Sequence, residues 1–311
     1  MIQCPFVRIR SDEEIRSIGT VVHEMGHALG LTHEHQRPDR DDYVEIMWQN
    51  ILTDYLVSFE KYNLHNYSTL DLPFDYGSCM HYHSHGMSKM AWYGMPKQTI
   101  RTKKLGYQLT IGMKYDISFY DLKALHTLYC ADRCSNSELT CERGGFLDTR
   151  TCEKCICPSG FTGKFCTDIE PYHGKQCGGV INLSEGRTYD IQTPKWRGSI
   201  LPRHLPKGQT CTWLLKAPIG KIVELRIRGS SKFGRFFGWL TGSIYSFNIA
   251  RRFSACLDYV EVKNSSDFAN TGMRFCGVLP PIGPIYSETH EMMIRFRSYY
   301  ARSSGFGSYV K

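Results

Sequence analysis

Long apolar runs are missing from this 311-residue chain: no stretch approaches the roughly 20 residues that a membrane-spanning helix needs, so no transmembrane segment is expected. Also missing are a basic helix and any recognisable nucleic-acid-binding module, which removes nucleic acid from the expected partners. The opening residues, MIQCPFVRIRSDEE, lack the apolar core of a secretory leader and do not read as a signal peptide. The true amino terminus is therefore expected to lie further upstream. Charge is not extreme either. At +8 the chain is mildly basic for its size, which suits an ordinary solvated surface or contact with acidic matrix or glycans. A mean hydropathy of −0.35 is that of an ordinary globular protein, and the length is sufficient for two or three domains.

Cysteine, by contrast, is abundant. The thirteen cysteines cluster in the middle and the C-terminal half with disulfide-type spacing. Three sequons, at Asn66, Asn182 and Asn264, could accept N-glycans. Together these features point to a secreted, extracellular product.

The chain is organised around His23 to Asp41, HEMGHALGLTHEHQRPDRD. On a helix from about Val21, His23 and His27 lie one turn apart on the same face. Two imidazoles so placed can share a tetrahedral metal at about 2.0–2.1 Å. Glu24 points round the helix, close enough to reach a water on the metal without being a ligand. Gly30 can leave the helix with a positive φ and bring His33 back as a third ligand. Three protein ligands leave the fourth position open, as a catalytic zinc site requires. HExxH alone is a common chance pair on a polar helix, but the longer HExxHxxGxxH string is a metzincin signature. With Glu34, Arg37, Asp39, Arg40 and Asp41 after it, the sequence resembles the astacin family of zinc endopeptidases. Every fixed position of that family's extended motif, HExxHxxGxxHExxRxDRD, is present.

The resemblance implies Zn2+ on His23, His27 and His33, with Glu24 as general base. It also reads Ser78-Cys-Met-His-Tyr82 as the Met-turn: Met80 makes an apolar floor beneath the zinc, and Tyr82 stabilises the transition state. Most of a twisted sheet precedes the helix in that family, and a free amino terminus is buried against the residue matching Glu34. Only 22 residues precede His23 here, and the family cysteine shortly before the helix has no match around Ile15. The chain therefore reads as an N-terminally truncated member, with that partner of Glu34 missing.

Elsewhere in this part, Met1–Arg10 could hold a short strand and Tyr43–Met47 alternates as a strand. Residues 12–29 are expected to be helical, and Asn50–Lys61 has the spacing of an amphipathic helix. A helix capped by Ser118 and Asp121 should bury Leu122, Leu125, Leu128 and Tyr129 along one face. Cys79 is either a buried thiol or a partner of Cys4, and Cys130 is either paired with Cys4 or reduced. His83 and His85 read as a second metal site or as exposed histidines.

Cys134, Cys141, Cys152, Cys155, Cys157 and Cys166 form a compact block that resembles an EGF-like module. A Cys4 zinc knuckle is the alternative, over-filled by six cysteines. The resemblance implies bridges Cys134–Cys152, Cys141–Cys155 and Cys157–Cys166. About 35 residues bury too little core to fold without such bridges. From Cys177 onward, alternating strands at 222–227, 257–262 and 292–296 and the surrounding motifs resemble a CUB β-sandwich. Bridges Cys177–Cys211 and Cys256–Cys276 are implied. Many such domains bind calcium; Asp258 matches one ligand, while Tyr299 stands where a second aspartate is expected. The basic, aromatic stretch 232–253 is an inserted loop carrying core aromatics, or a surface for a membrane or acidic partner.

The expected fold class is α+β: an astacin-like zinc peptidase domain over 1–130, an EGF-like domain over 131–170 and a CUB domain over 171–311. The expected function is zinc-dependent hydrolysis of internal peptide bonds in extracellular proteins, with matrix or glycan partners open to the CUB domain. The competing expectation is a catalytically inactive fragment that acts through its EGF-like and CUB modules.

Overall fold

The computed structural model describes residues 11–63, 67–113, 117–194, 205, 207–228, 247–252, 255–256, 258–277, 281–299, 303 and 305–311. For residues 11–18, 248, 252 and 255 it describes the backbone alone. The expected strand at Met1–Arg10, Cys4, Asn66 and most of 232–253 lie outside the described residues.

Helix α1 runs Ser11–Ala28, one residue off the expected span. It stops because Gly30 adopts φ +88°. The Gly30 N–H then reaches His27 O at 3.0 Å and the Leu31 N–H reaches Gly26 O at 2.9 Å, the paired bonds of a Schellman cap. Strand β1 (Val44–Ile46) pairs antiparallel with β2 (Ile100–Thr102), Val44 facing Thr102. The helix expected over Asn50–Lys61 does not form. Short 3₁₀ turns at Trp48–Asn50 and Thr53–Phe59 take its place. No side chain caps the second turn at Leu52, and the backbone between the two turns is spent elsewhere: Ile51 bridges Ser88 and the Leu52 N–H donates to Met87 O.

Helix α2 (Phe119–Tyr129) begins at the expected capping box. Ser118 Oγ accepts from Asp121 N, and Asp121 Oδ2 accepts from Ser118 N. Its buried face is a correction. Phe119, Tyr120 and Asp121 are buried, whereas Leu122, Leu128 and Tyr129 are exposed, and only Leu125 joins the cluster around Leu31 and Met80. The helix docks by its first turn, because Phe119 and Tyr120 pack on Ala269 in the loop between strands Tyr259–Lys263 and Met273–Phe275 of the C-terminal sandwich.

Two hairpins follow. Strand β3 (Phe146–Leu147) pairs with β4 (Cys155–Ile156), and β5 (Phe161–Thr162) with β6 (Asp168–Ile169). The structure forms bridges Cys134–Cys152, Cys141–Cys155 and Cys157–Cys166 across them.

The remaining strands are β7 (Gly179–Asn182), β8 (Tyr189–Gln192), β9 (Thr210–Lys216), β10 (Glu224–Ile227), β11 (Phe247–Asn248), β12 (Arg251–Arg252), β13 (Ala255–Cys256), β14 (Tyr259–Lys263), β15 (Met273–Phe275), β16 (Ile285–Tyr286), β17 (Glu291–Arg297) and β18 (Gly305–Val310). One sheet runs β15-β14-β17-β9-β7; the other runs β11-β18-β10-β16, with β8 also on β18. Trp213 on β9 and Phe306 on β18 meet edge-to-face, ring centres 5.8 Å apart, between the sheets. Cys177–Cys211 and Cys256–Cys276 are bridged.

Strands facing water on one side should alternate in burial. β14 does not: all five residues are buried, including Glu261 and Lys263. The outer face of this sheet is covered by the parts of the chain that precede it. Met293 and Leu214 pack on Phe161 and Cys166 of the disulfide module, and Arg295 Nη2 donates to Glu170 Oε2 at 2.8 Å.

Candidate metal centre

Helix α1 and the turn after it bring the three histidines together. His23 is buried, His27 and His33 are half-buried, and Glu24 is exposed beside them. Each ring is held through Nδ1: His23 by Cys79 O at 2.8 Å, His27 by Leu31 O at 2.9 Å and His33 by Gln36 Oε1 at 2.9 Å. All three partners are acceptors, so each Nδ1 donates and each Nε2 keeps its lone pair for a metal. The Nε2 atoms of His27 and His33 are 3.1 Å apart, and the three ligand atoms lie within 4.8 Å of one another. Two nitrogens at the tetrahedral angle about one zinc are separated by about 3.3 Å. The donor set fits zinc.

Met80 is buried beneath this triad, beside Leu31. A Cβ on Gly26 would stand 2.7 Å from Met80 Sδ, so the methionine presses against the helix between the two ligand positions. A glycine inside a helix costs about 0.5–1 kcal/mol relative to alanine. That cost is offset here by the seat it opens.

Tyr82 lies against the third ligand, its ring centre 4.6 Å from that of His33, and stacks on His35 at 4.1 Å. Burial raises its pKa, and Tyr62 and Glu24 add to the shift, so the phenol stays a proton donor.

The charged tail of the motif is structural. Arg37 is buried and grips Asp39 with two bonds, Nε to Oδ1 at 2.9 Å and Nη2 to Oδ2 at 2.8 Å. It also reaches Leu72 O at 3.0 Å and, more loosely, Glu34 Oε1 at 3.4 Å. Arg40 donates to His35 O and Phe59 O. Glu34 Oε1 accepts the Asp75 N–H at 2.8 Å. Burial pushes its carboxyl up to about 8; Arg37 and that N–H oppose the rise, while Asp121 and Asp75 add to it. Glu34, Asp75 and Asp121 share the wall of a cavity of about 230 Å³ with Arg37 and Tyr67.

Among the described residues, the group that could hold a metal is His23, His27 and His33. His83 is exposed and its Nδ1 accepts from His85 N, while Ser84 Oγ engages His85 Nδ1. Cys79 is buried and Cys130 carries a half-buried free thiol. Asn182 is exposed; Asn264 is half-buried and its amide donates to Tyr286 O at 2.9 Å. Asp258, weighed as a calcium ligand, is buried and accepts from Ser298 Oγ, Tyr299 N and Ser303 Oγ.

Three contributors escape a reading of the motif alone: the Cys79 carbonyl, Gly26 and Gln36. Gln36 leaves a trace in its spacing, three residues beyond His33. Its Nε2 donates to Glu60 O at 3.0 Å, which aims Oε1 at the His33 ring. The orientation of the His33 ring thus depends on a replaceable side chain. Gln36→Leu is expected to weaken zinc binding about 10–100-fold, the usual cost of losing such an outer partner. Gln36→Glu, which keeps the acceptor, should lose far less. Competition with a chelator of known affinity measures both, and equal affinities in all three proteins would remove Gln36 from the site.

A histidine pair on a helix, a glycine turn returning a third histidine and a methionine floor together define a metzincin-type metallopeptidase site. Residues 7–130 match the family model described as Astacin, a peptidase family. The chain is 41% identical to zinc metalloproteinase dpy-31 of Caenorhabditis elegans over 289 residues, 93% of this chain and 45% of that protein. It is 36% identical to zinc metalloproteinase nas-36 of the same organism over 298 residues, 94% of this chain and 43% of that one. Among solved structures, high choriolytic enzyme 1, a hatching enzyme zinc-protease from the medaka fish Oryzias latipes, aligns over 36% of this chain and 52% of that chain, with 34% identity and a TM-score of 0.32. Residues 7–130 belong to the astacin family of zinc metallopeptidases. The chain spans less than half the length of the curated relatives it matches. Its fold class is α+β, with an all-β C-terminal sandwich behind the metallopeptidase part.

Proposed function

We propose that this chain hydrolyses internal peptide bonds of extracellular proteins as a zinc-dependent endopeptidase. The carrying observation is the convergence of three Nε2 atoms whose rings are each fixed through Nδ1. Zinc, when bound, supplies Lewis acidity toward a water and toward the scissile carbonyl. Glu24 takes the proton from that water and delivers it to the leaving amine. Tyr82 donates to the developing oxyanion, a contribution of about 2.7–4 kcal/mol in comparable sites.

In this reading residues 1–130 are the peptidase domain, 131–170 an EGF-like domain and 171–311 a CUB domain that meets matrix or glycan partners. The five disulfides support secretion. One observation favours the competing role as an interaction protein without activity: Val21 and Met25 on α1, Leu29 just beyond it and Leu122 and Leu128 on α2 are exposed, an apolar burden for a catalytic unit. Zinc analysis and casein cleavage by the purified, oxidised chain separate the two. One zinc per chain with cleavage is the expected result. Full zinc without cleavage under any condition would favour the interaction role, and absence of zinc binding would defeat the peptidase.

A further inference from the structure

The turn that carries Met80 has its back against the C-terminal sandwich. Gly77 sits in that turn, and a Cβ built on it would stand 2.5 Å from Thr271 Cβ, far inside contact distance. Thr271 cannot swing aside, because the clash includes its own Cβ. Gly77 does not have a positive φ, so the backbone does not require glycine there; closeness of the sandwich does.

The contact is one of several along the same seam. Asn270 Nδ2 donates to Phe74 O at 3.1 Å, one residue before the Asp75–Met80 turn. Tyr120 OH donates to Asp267 Oδ2 at 2.6 Å. The Arg274 N–H donates to Thr110 Oγ1 at 2.9 Å, and a Cβ on Gly106 would meet Met273 Sδ at 2.5 Å. The seam also explains the charged residues buried on the outer sheet face. Glu261 accepts from Gly272 N at 2.8 Å and Arg295 Nη1 at 3.2 Å, and Lys263 Nζ donates to Phe268 O at 2.7 Å, which stiffens the loop 268–272 that meets the turn.

From Gly77 the path to the ligands is short. Gly77 N donates to Asp75 Oδ1 at 2.9 Å, Ser78 Oγ and Cys79 N both donate to Asp121, and Cys79 O holds His23. Moving the turn moves the anchor of a metal ligand and the Met80 floor together.

We propose that the C-terminal sandwich is a working wall of the metal centre, with Thr271 and Asn270 as positioning residues that set the Asp75–Met80 turn, and not a separately tethered module. This rests on the zinc reading of the histidine triad. The test uses the full chain. Gly77→Ala is expected to lower zinc affinity at least about tenfold by chelator competition and to lower kcat more than it raises KM. Adding Thr271→Gly to Gly77→Ala should recover most of the zinc affinity, because the double variant restores the space. Asn270→Ala, a milder change, should lower zinc affinity several-fold without altering far-UV circular dichroism. Zinc affinity unchanged in Gly77→Ala, or a defect that Thr271→Gly leaves in place, overturns the proposal. If the parent chain itself binds no zinc, the reading of the triad fails instead.

Discussion

Replacing Glu24 with alanine is expected to leave zinc bound and to stop peptide hydrolysis. Glu24 is exposed on α1, next to a ligand position but outside the group of three ligand nitrogens. Its removal therefore takes no bond from the metal, and alanine is the best helix former, so α1 should persist. What is lost is the group that moves the proton. General acid–base catalysis is worth about 10²–10⁴-fold, so kcat should fall by at least that range. Metal analysis and kcat on the same preparation read both halves of the expectation. Turnover within tenfold of the parent would remove Glu24 as the base, and loss of zinc would show that it shapes the site instead.

The second large effect is on stability. Arg37→Ala should cost about 1–3 kcal/mol, the range seen when buried hydrogen-bonding groups lose their partner. The arginine is buried, chelates Asp39 with two parallel bonds and satisfies the carbonyl of Leu72. Without it the rise of the Glu34 pKa loses its main opposition, since Arg37 is the largest influence against burial. Arg37→Lys should rescue little, because one ammonium cannot reproduce the planar fork. Urea denaturation of the oxidised chain measures the difference. A loss below about 1 kcal/mol would mean that the Arg37 and Asp39 positions of the motif are not structural here.

These two expectations divide the motif by kind. The histidines and Glu24 are the residues proposed to carry chemistry, while Arg37, Asp39 and Arg40 hold the chain that brings His33 back. Both groups are legible because they are local: i, i+4 spacing on a helix and a glycine turn fix geometry within twenty residues. The capping box of α2 is legible for the same reason, since its two bonds join residues three apart. The failures are those where distance in sequence decides. The stretch Asn50–Lys61 has helical spacing, but its backbone is taken up by Met87 and Ser88, more than thirty residues away. The apolar residues of α2 suggest a buried stripe, yet the sandwich claims only its first turn.

The amino-acid sequence by itself determined which histidines are the candidate metal ligands, the glycine turn that returns the third of them and the resemblance to the astacin family. Each of these is a matter of residue type at a short, regular spacing. Only the tertiary structure decided what holds those ligands: the Cys79 carbonyl on His23, Gln36 on His33, Gly26 beneath Met80 and Thr271 behind Gly77. All but the Gln36–His33 pair join residues far apart in the chain, and backbone carbonyls and steric gaps leave no mark in residue identity. They exist only once the chain has closed on itself.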